Sequence, residues 1–393
     1  MNQKPPSLRK SAALAFIVMM GGVSLLADLT YEGARSITGP FLALLGASGA
    51  VVGLVAGSGE LVGYGLRLLS GYVTDRTRRY WTITLLGYAV NLLAVPLLAL
   101  AGSWEVAAVL IIAERVGKAI RVPARDAMLS HATSQVGHGW GFGLHEALDQ
   151  IGAVLGPLLM AAVLAFRESY QMGFAVLIVP ALLALTLLLV ARARFPTPRE
   201  FELETSPRLE GGRRFPRAFW LYLVAVAFVA LGYADFPLIA YHFKQTAVVP
   251  DTWIPIFYAV AMGVDALAAL IFGRLFDRFG LPVLAGAVLL AAPFAALAFL
   301  GSFEVALIGM ALWGVGMGAQ ESIMRAVIPT MVPADRRGMA YGLFNAGFGL
   351  FWFVGSVAMG VLYDVSLTAL IVLSVGAQLA AVPVLLSLRR MGK

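Results

Sequence analysis

Residues 102–107 read Gly-Ser-Trp-Glu-Val-Ala, and residues 301–306 read Gly-Ser-Phe-Glu-Val-Ala, the same phrase 199 positions later. Each copy opens a long apolar run, so the match marks a repeated helix start. Three further pairs keep the same order along the chain. Gly71-Tyr-Val-Thr-Asp75-Arg76 recurs as Gly273-Arg-Leu-Phe-Asp277-Arg278. Gly156 meets Gly355 at the same spacing, and Leu26-Ala-Asp28 resembles Tyr233-Ala-Asp235. Four matches in one order indicate two copies of a single unit.

The unit is made of membrane helices. Of the 393 residues, 60% are hydrophobic and only 13% charged, about half the charge of a soluble chain. Disorder is excluded by the same numbers, because disordered chains are poor in apolar residues. The apolar runs are helix-length and do not alternate, which excludes barrel strands. Twelve runs are read at 11–35, 42–69, 79–101, 104–127, 139–165, 170–191, 217–243, 252–274, 281–300, 303–328, 337–362 and 367–388. The first follows Lys4, Arg9 and Lys10 without a small-residue cleavage site, so it reads as a retained helix. The polar stretch from Arg192 to Arg217 divides the runs six and six. This sets the expected domains at 1–191 and 217–393, with a cytoplasmic linker at 192–216.

Basic residues give the orientation. With both termini cytoplasmic, most of the 29 lysines and arginines fall on that side, including Arg76, Arg78, Arg79, seven arginines from Arg192 to Arg217, Arg336, Arg337, Arg389, Arg390 and Lys393. The opposite side holds Arg35, Arg167 and Lys244. The net charge of +7 therefore reflects topology, and no aqueous domain is long enough to present a nucleic-acid face. Zero cysteines exclude disulfides and thiolate metal sites.

Two six-helix copies around a central cavity is the plan of transporters with parallel repeats, and over essentially its full length the chain resembles the major facilitator superfamily (MFS). The carrying motif is Gly71-x-x-x-Asp75-Arg76-x-Arg78-Arg79. It lacks the later glycine usual in that family, so Thr77 and Arg78 fill the turn. The second copy keeps Gly273, Asp277, Arg278 and Gly280. The resemblance implies an all-α fold of 12 transmembrane helices in two pseudo-symmetric bundles. It implies also that Gly71, Asp75, Arg76, Asp277 and Arg278 belong to gates, Asp75 latching the halves at a cytoplasmic helix end. In the fifth run Gly143, Gly152 and Gly156-Pro157 resemble the pattern of proton-coupled antiporters, with Met160 and Ala161 replacing its closing glycines. That pattern favours export. Packing alone is the alternative.

A charge at the bilayer centre costs at least about 2.5 kcal/mol, so each one needs a partner, a cavity or a task. Asp28, Glu32 and Arg35 share one face of the first run, and Glu32 and Arg35 are spaced to pair. Glu60 and Arg67 lie in the second. The fourth carries Glu114, Arg115, Lys118, Arg121, Arg125 and Asp126, and the fifth His145, Glu146, Asp149 and Gln150. The second half is drier, with Asp235, His242, Asp265, Gln320, Glu321 and Arg325. Substrate contact or proton coupling is expected of Asp28, Glu32, Arg35, Glu60, Arg115, Arg121, His145, Glu146, Asp149, Asp235, His242 and Glu321. Structural ion pairing is the alternative. Arg115 and Arg121 suit an anionic group, and Arg125 with Asp126 a gate pair. His131, His138 and His145 repeat every seven residues, but the glycines between them argue against one ligating face, and no metal site is assigned. Trp81, Trp104 and Trp253 read as interfacial anchors.

The expectation is a secondary active transporter in the inner (cytoplasmic) membrane, moving a small or amphiphilic solute by alternating access with protons as the coupling ion. A lipid flippase and an organic-anion symporter are the alternatives. An enzyme is not expected, since His-Glu-x-x-His, Gly-x-Ser-x-Gly and a phosphate loop are all absent. Partners are the solute, protons and the bilayer, the state monomeric, the cofactor none and the energy source a gradient.

Overall fold

Where the apolar runs were read, helices form. The computed structural model describes residues 6–201, 215–332 and 336–391; Lys4, Lys393 and residues 202–214 of the expected linker lie outside these. Twelve helical segments follow in order: α1 (Pro6–Leu44), α2 (Gly49–Thr77), α3 (Tyr80–Leu100), α4 (Trp104–Thr133), α5 (His138–Arg167), α6 (Tyr170–Arg194), α7 (Arg217–Thr246), α8 (Ile254–Phe279), α9 (Pro282–Leu300), α10 (Phe303–Met331), α11 (Arg337–Val365) and α12 (Leu367–Met391). Eleven are long and apolar enough to cross a bilayer. The exception, α4, is a continuous 30-residue helix that carries the densest set of charges among these helices. No strand occurs among the described residues.

Three departures from the expected runs have local causes. The first run is read to 35, yet α1 continues through Gly39 and Pro40 to Leu44; Gly39 is needed because a Cβ there would overlap the backbone carbonyl of Pro237. Conversely α7, read as one run, breaks at 233–235 and resumes at Phe236. Pro237 is the reason, since its ring would strike the carbonyl four residues back, that of Tyr233. Carbonyls freed at the break are taken by side chains. Ser374 donates to Gly232 O at 2.6 Å and the Trp313 indole to Ala234 O at 2.9 Å. Such replacement is obligatory where no water is available. In α10 a π-helical turn spans Gln320–Met324, and the Tyr222 hydroxyl donates to Met324 O at 2.6 Å.

The chain divides into two compact units, Met1–Ala34 with Gly65–Pro207 and Arg35–Tyr64 with Arg208–Lys393. Residues 35–64, grouped by sequence with the first six helices, pack in the second unit. There Gly53 and Gly57 of α2 face Ser356, Gly360 and Phe353 of α11, and Gly49 faces Tyr363 and Asp364, where any Cβ would collide. Asp364 caps the α2 N-terminus, accepting from Gly49 N at 2.9 Å and Ala50 N at 2.8 Å. The first unit's core contains Phe16, Met20, Tyr88, Leu92, Met128 and Leu188. Trp81 belongs to that core and donates to Phe195 O at 3.0 Å, so it is not the interfacial anchor expected of it.

The internal repeat has a backbone counterpart. Gly156 sits against Leu29 O, and Gly355 against Leu231 O, each too close for a Cβ. Arg78, just past α2, has φ 56°, and Gly280, just past α8, has φ 69°. Arg78 therefore has a positive φ at the position where the second copy uses glycine.

Candidate functional site

The first unit brings together charges from α1, α4 and α5. Three helix faces converge: Ser24, Asp28 and Tyr31 on α1, Lys118, Arg121 and Arg125 on α4, His145 and Asp149 on α5. Spacings of three, four and seven put each set on one side of its helix. Glycines bring the backbones close enough for these short side chains to meet. A Cβ on Gly152 would overlap Leu25 O, and one on Gly156 would come within 2.5 Å of Leu29 O, so α5 lies directly on α1. Between α3 and α4, a Cβ on Gly87 would fall 2.6 Å from Arg121 N.

Asp28 is only 4% exposed and accepts from the Tyr31 hydroxyl at 2.9 Å. The Asp28 and Asp149 carboxyls act on one another at close range, and Asp149 Oδ1 has no hydrogen-bond partner. Two ionised carboxylates are acceptors only, so a hydrogen bond between them requires a proton on one. Buried Ser24 joins the neighbouring groups, with His145 Nε2 at 2.9 Å and Arg125 Nη1 donating at 3.3 Å. Arg125 also holds Asp126 at 2.9 Å. The expected gate pair thus forms, with its arginine tied into the cluster.

The cations of α4 are treated unequally. Arg115 pairs with Glu114 at 3.2 Å, and Glu114 is fixed by the Asn91 amide at 2.7 Å. Lys118 rests over the Tyr31 ring at 3.8 Å and Arg121 over Tyr88 at 4.3 Å. Arg121 is 1% exposed, yet its Nε and Nη1 have no hydrogen-bond partner, nor does the Tyr88 hydroxyl. Glu32 is buried and its charge acts on Lys118.

Arg35, one turn past Glu32 on α1, opens the segment that groups with the second unit. It donates to Asp235 at 2.7 Å and lies 3.5 Å from Glu60. Asp235, at the α7 break, also accepts from the Trp352 indole at 3.3 Å. His242 meets the Tyr363 hydroxyl at 3.1 Å and packs on Phe299.

Other expected residues lie outside these clusters. Glu146 and Glu321 are exposed, as are Asp75, Arg76, Asp277 and Arg278. Arg76 donates to Tyr72 one turn back, and Arg278 lies over Phe279. Gly71 has room for a side chain, its nearest neighbour being Pro123 at 3.8 Å. His131 packs on Tyr80, and the side chain of His138 lies outside the described residues. Among the described residues no group of three or more potential ligands could hold a metal. Ser24, Tyr31 and Tyr88 were missed by the sequence reading because they are neutral. For Ser24 and Tyr31 the available signal was their place one turn either side of Asp28.

Comparison with known proteins agrees with this architecture. The family model described as Major Facilitator Superfamily matches residues 12–319 and 234–392. An uncharacterized protein of Mycobacterium tuberculosis is 43% identical over 383 residues, 96% of this chain and 94% of the relative. An uncharacterized MFS-type transporter of Methanocaldococcus jannaschii is 25% identical over 358 residues, 89% of each chain. Among solved structures, the nucleoside transporter NupG superposes with a TM-score of 0.78 at 11% identity, over 95% of this chain and 99% of that one.

Proposed function

The chain belongs to the Major Facilitator Superfamily, and on that premise we propose that it is a proton-coupled secondary active transporter. It moves a small or amphiphilic solute across the cytoplasmic membrane, both termini cytoplasmic, and works as a monomer without covalent chemistry on the solute. The transport cycle is one of alternating access, carried by the repeated halves 1–191 and 217–393 joined by 192–216. Asp75, Arg76, Asp277 and Arg278 act at its cytoplasmic gates.

The apposition of Asp28 and Asp149 supports proton coupling most directly. Two apposed carboxyls that share a proton and lie among Lys118, Arg121 and Arg125 form a site whose occupancy changes as solvent reaches it from one side or the other. Export in exchange for protons is the direction favoured by Gly143, Gly152 and Gly156-Pro157. A second reading, uptake of an organic anion together with protons, is favoured by the Nε and Nη1 groups of Arg121, which lack hydrogen-bond acceptors.

The test is a thermal-shift panel of sugars, organic anions, drugs and lipids on purified protein. Proton flux is then followed in pyranine-loaded proteoliposomes under a gradient of whichever compound stabilises the protein. Asp28→Asn and Asp149→Asn should each abolish solute-driven proton flux while leaving the folded protein intact. Unchanged flux in both would reject the assignment.

A further inference from the structure

We infer that the transported solute carries an anionic group, a carboxylate or a phosphate, that docks on Arg121 beside Lys118, and that each docked anion brings one proton to the Asp28–Asp149 pair. The inference rests on the second of the two transport readings, uptake of an anion together with protons, and names its docking group.

The first support is the contrast among arginines within the helices. Arg35 holds Asp235, Arg115 holds Glu114 and Arg125 holds Asp126. Arg121 is the most buried of these four, with two N–H groups directed at no acceptor. A buried guanidinium left in that condition is costly, and an incoming oxyanion supplies the acceptors it lacks in a geometry matched to its fork. The same helix face carries Lys118 one turn away, stacked on Tyr31, and Tyr88 beneath Arg121 has an unsatisfied hydroxyl.

Charge balance supplies the second support. Lys118, Arg121 and Arg125 face four carboxyls, Asp28, Glu32, Asp126 and Asp149. Glu114 and Arg115 neutralise each other, and His145 is hydrogen-bonded to Ser24. With one proton shared between Asp28 and Asp149, three cations meet three anions. An added anion unbalances the cluster by one charge, which a second proton on the aspartate pair restores. Because Arg121 is shut off from solvent, the anion reaches it only as the surrounding helices part, as alternating access requires.

The full chain in detergent is titrated with succinate, benzoate and inorganic phosphate, and with succinamide and benzamide as neutral counterparts, while thermal stability and bulk pH in weak buffer are followed. At least one anion should raise the melting temperature, its neutral counterpart should not, and about one proton should be taken up per anion bound. Arg121→Gln should weaken that anion at least about tenfold, whereas Arg167→Gln, at an exposed site outside the cluster and the gates, should not. Should Arg121→Gln fail to fold, Lys118→Gln reads the same subsite, with a several-fold loss expected. No stabilisation by any anion, or undiminished binding in the folded variant, overturns the inference. Stabilisation by neutral or cationic panel members alone, with proton flux still lost in Asp149→Asn, would overturn the anion assignment while leaving proton-coupled transport standing.

Discussion

Replacing Gly152 by alanine should destabilise the protein, whereas the same change at Gly143 on the same helix should stabilise it. A Cβ at position 152 would lie 2.9 Å from the Leu25 carbonyl carbon and closer still to its oxygen. Carbon atoms pack at about 3.5–4.0 Å, so α1 and α5 must part locally by roughly 0.5–1 Å, a gap that forfeits a quarter to a half of each contact. Overpacking of this kind costs about 1–3 kcal/mol. Against it stands the gain of about 1 kcal/mol for alanine over glycine in a helix, leaving a net loss of about 1 kcal/mol. At Gly143 nothing lies within 4 Å, so only the propensity gain of about 1 kcal/mol remains. The two melting temperatures in detergent should move in opposite directions. Gly152→Ala should also impair proton flux, because the separation acts one turn from Asp149. A stabilised Gly152→Ala, or equal effects at the two sites, would refute the close approach of α1 and α5.

Arg78→Gly should stabilise by about 0.5–1 kcal/mol by relieving left-handed backbone, whereas Gly280→Ala should cost about 1–3 kcal/mol in a region nearly restricted to glycine. Thermal unfolding of both reads the sign. Ser70→Ala should cost about 1–3 kcal/mol, because its hydroxyl donates at 2.7 Å to Ala119 O, the carbonyl that Pro123 leaves without a backbone donor. Adding Pro123→Ala should shrink that cost, and additivity in the double-mutant cycle would contradict the pairing. Asp235→Asn should fall toward the lower end of the about 3–5 kcal/mol expected for breaking a buried pair, since Glu60 remains 3.5 Å from Arg35; a neutral effect on unfolding would refute the clamp.

Much of this fold was legible in the chain because membrane helices are local. Twelve runs became twelve helical segments, and the repeat that paired Gly156 with Gly355 identified two backbone contacts of the same kind. The break in α7 was also legible, through Pro237 and its clash four residues back, but the continuous apolar run concealed it. What could not be read was the assignment of residues 35–64 to the second unit, since it depends on Gly39, Gly49 and Gly53 meeting partners about 200 to 300 residues away. Within the site, Asp28, Arg121 and Asp149 stood out as charges in an apolar setting. Their partners did not, because Tyr31, Tyr88 and Ser24 carry no charge. Glu146 was grouped with His145 and Asp149 by proximity in sequence. One residue along a helix is about a quarter turn, so Glu146 is exposed where His145 is buried.

The shared proton can be observed without knowing the solute. Infrared spectra of the purified protein at neutral pH report a protonated carboxyl through its C=O stretch, distinct from that of a carboxylate. The account predicts such a band in the wild-type protein and its loss in both Asp28→Asn and Asp149→Asn, where a single carboxylate remains beside Lys118, Arg121 and Arg125. A band unchanged in both variants would place the proton elsewhere and contradict the coupling site.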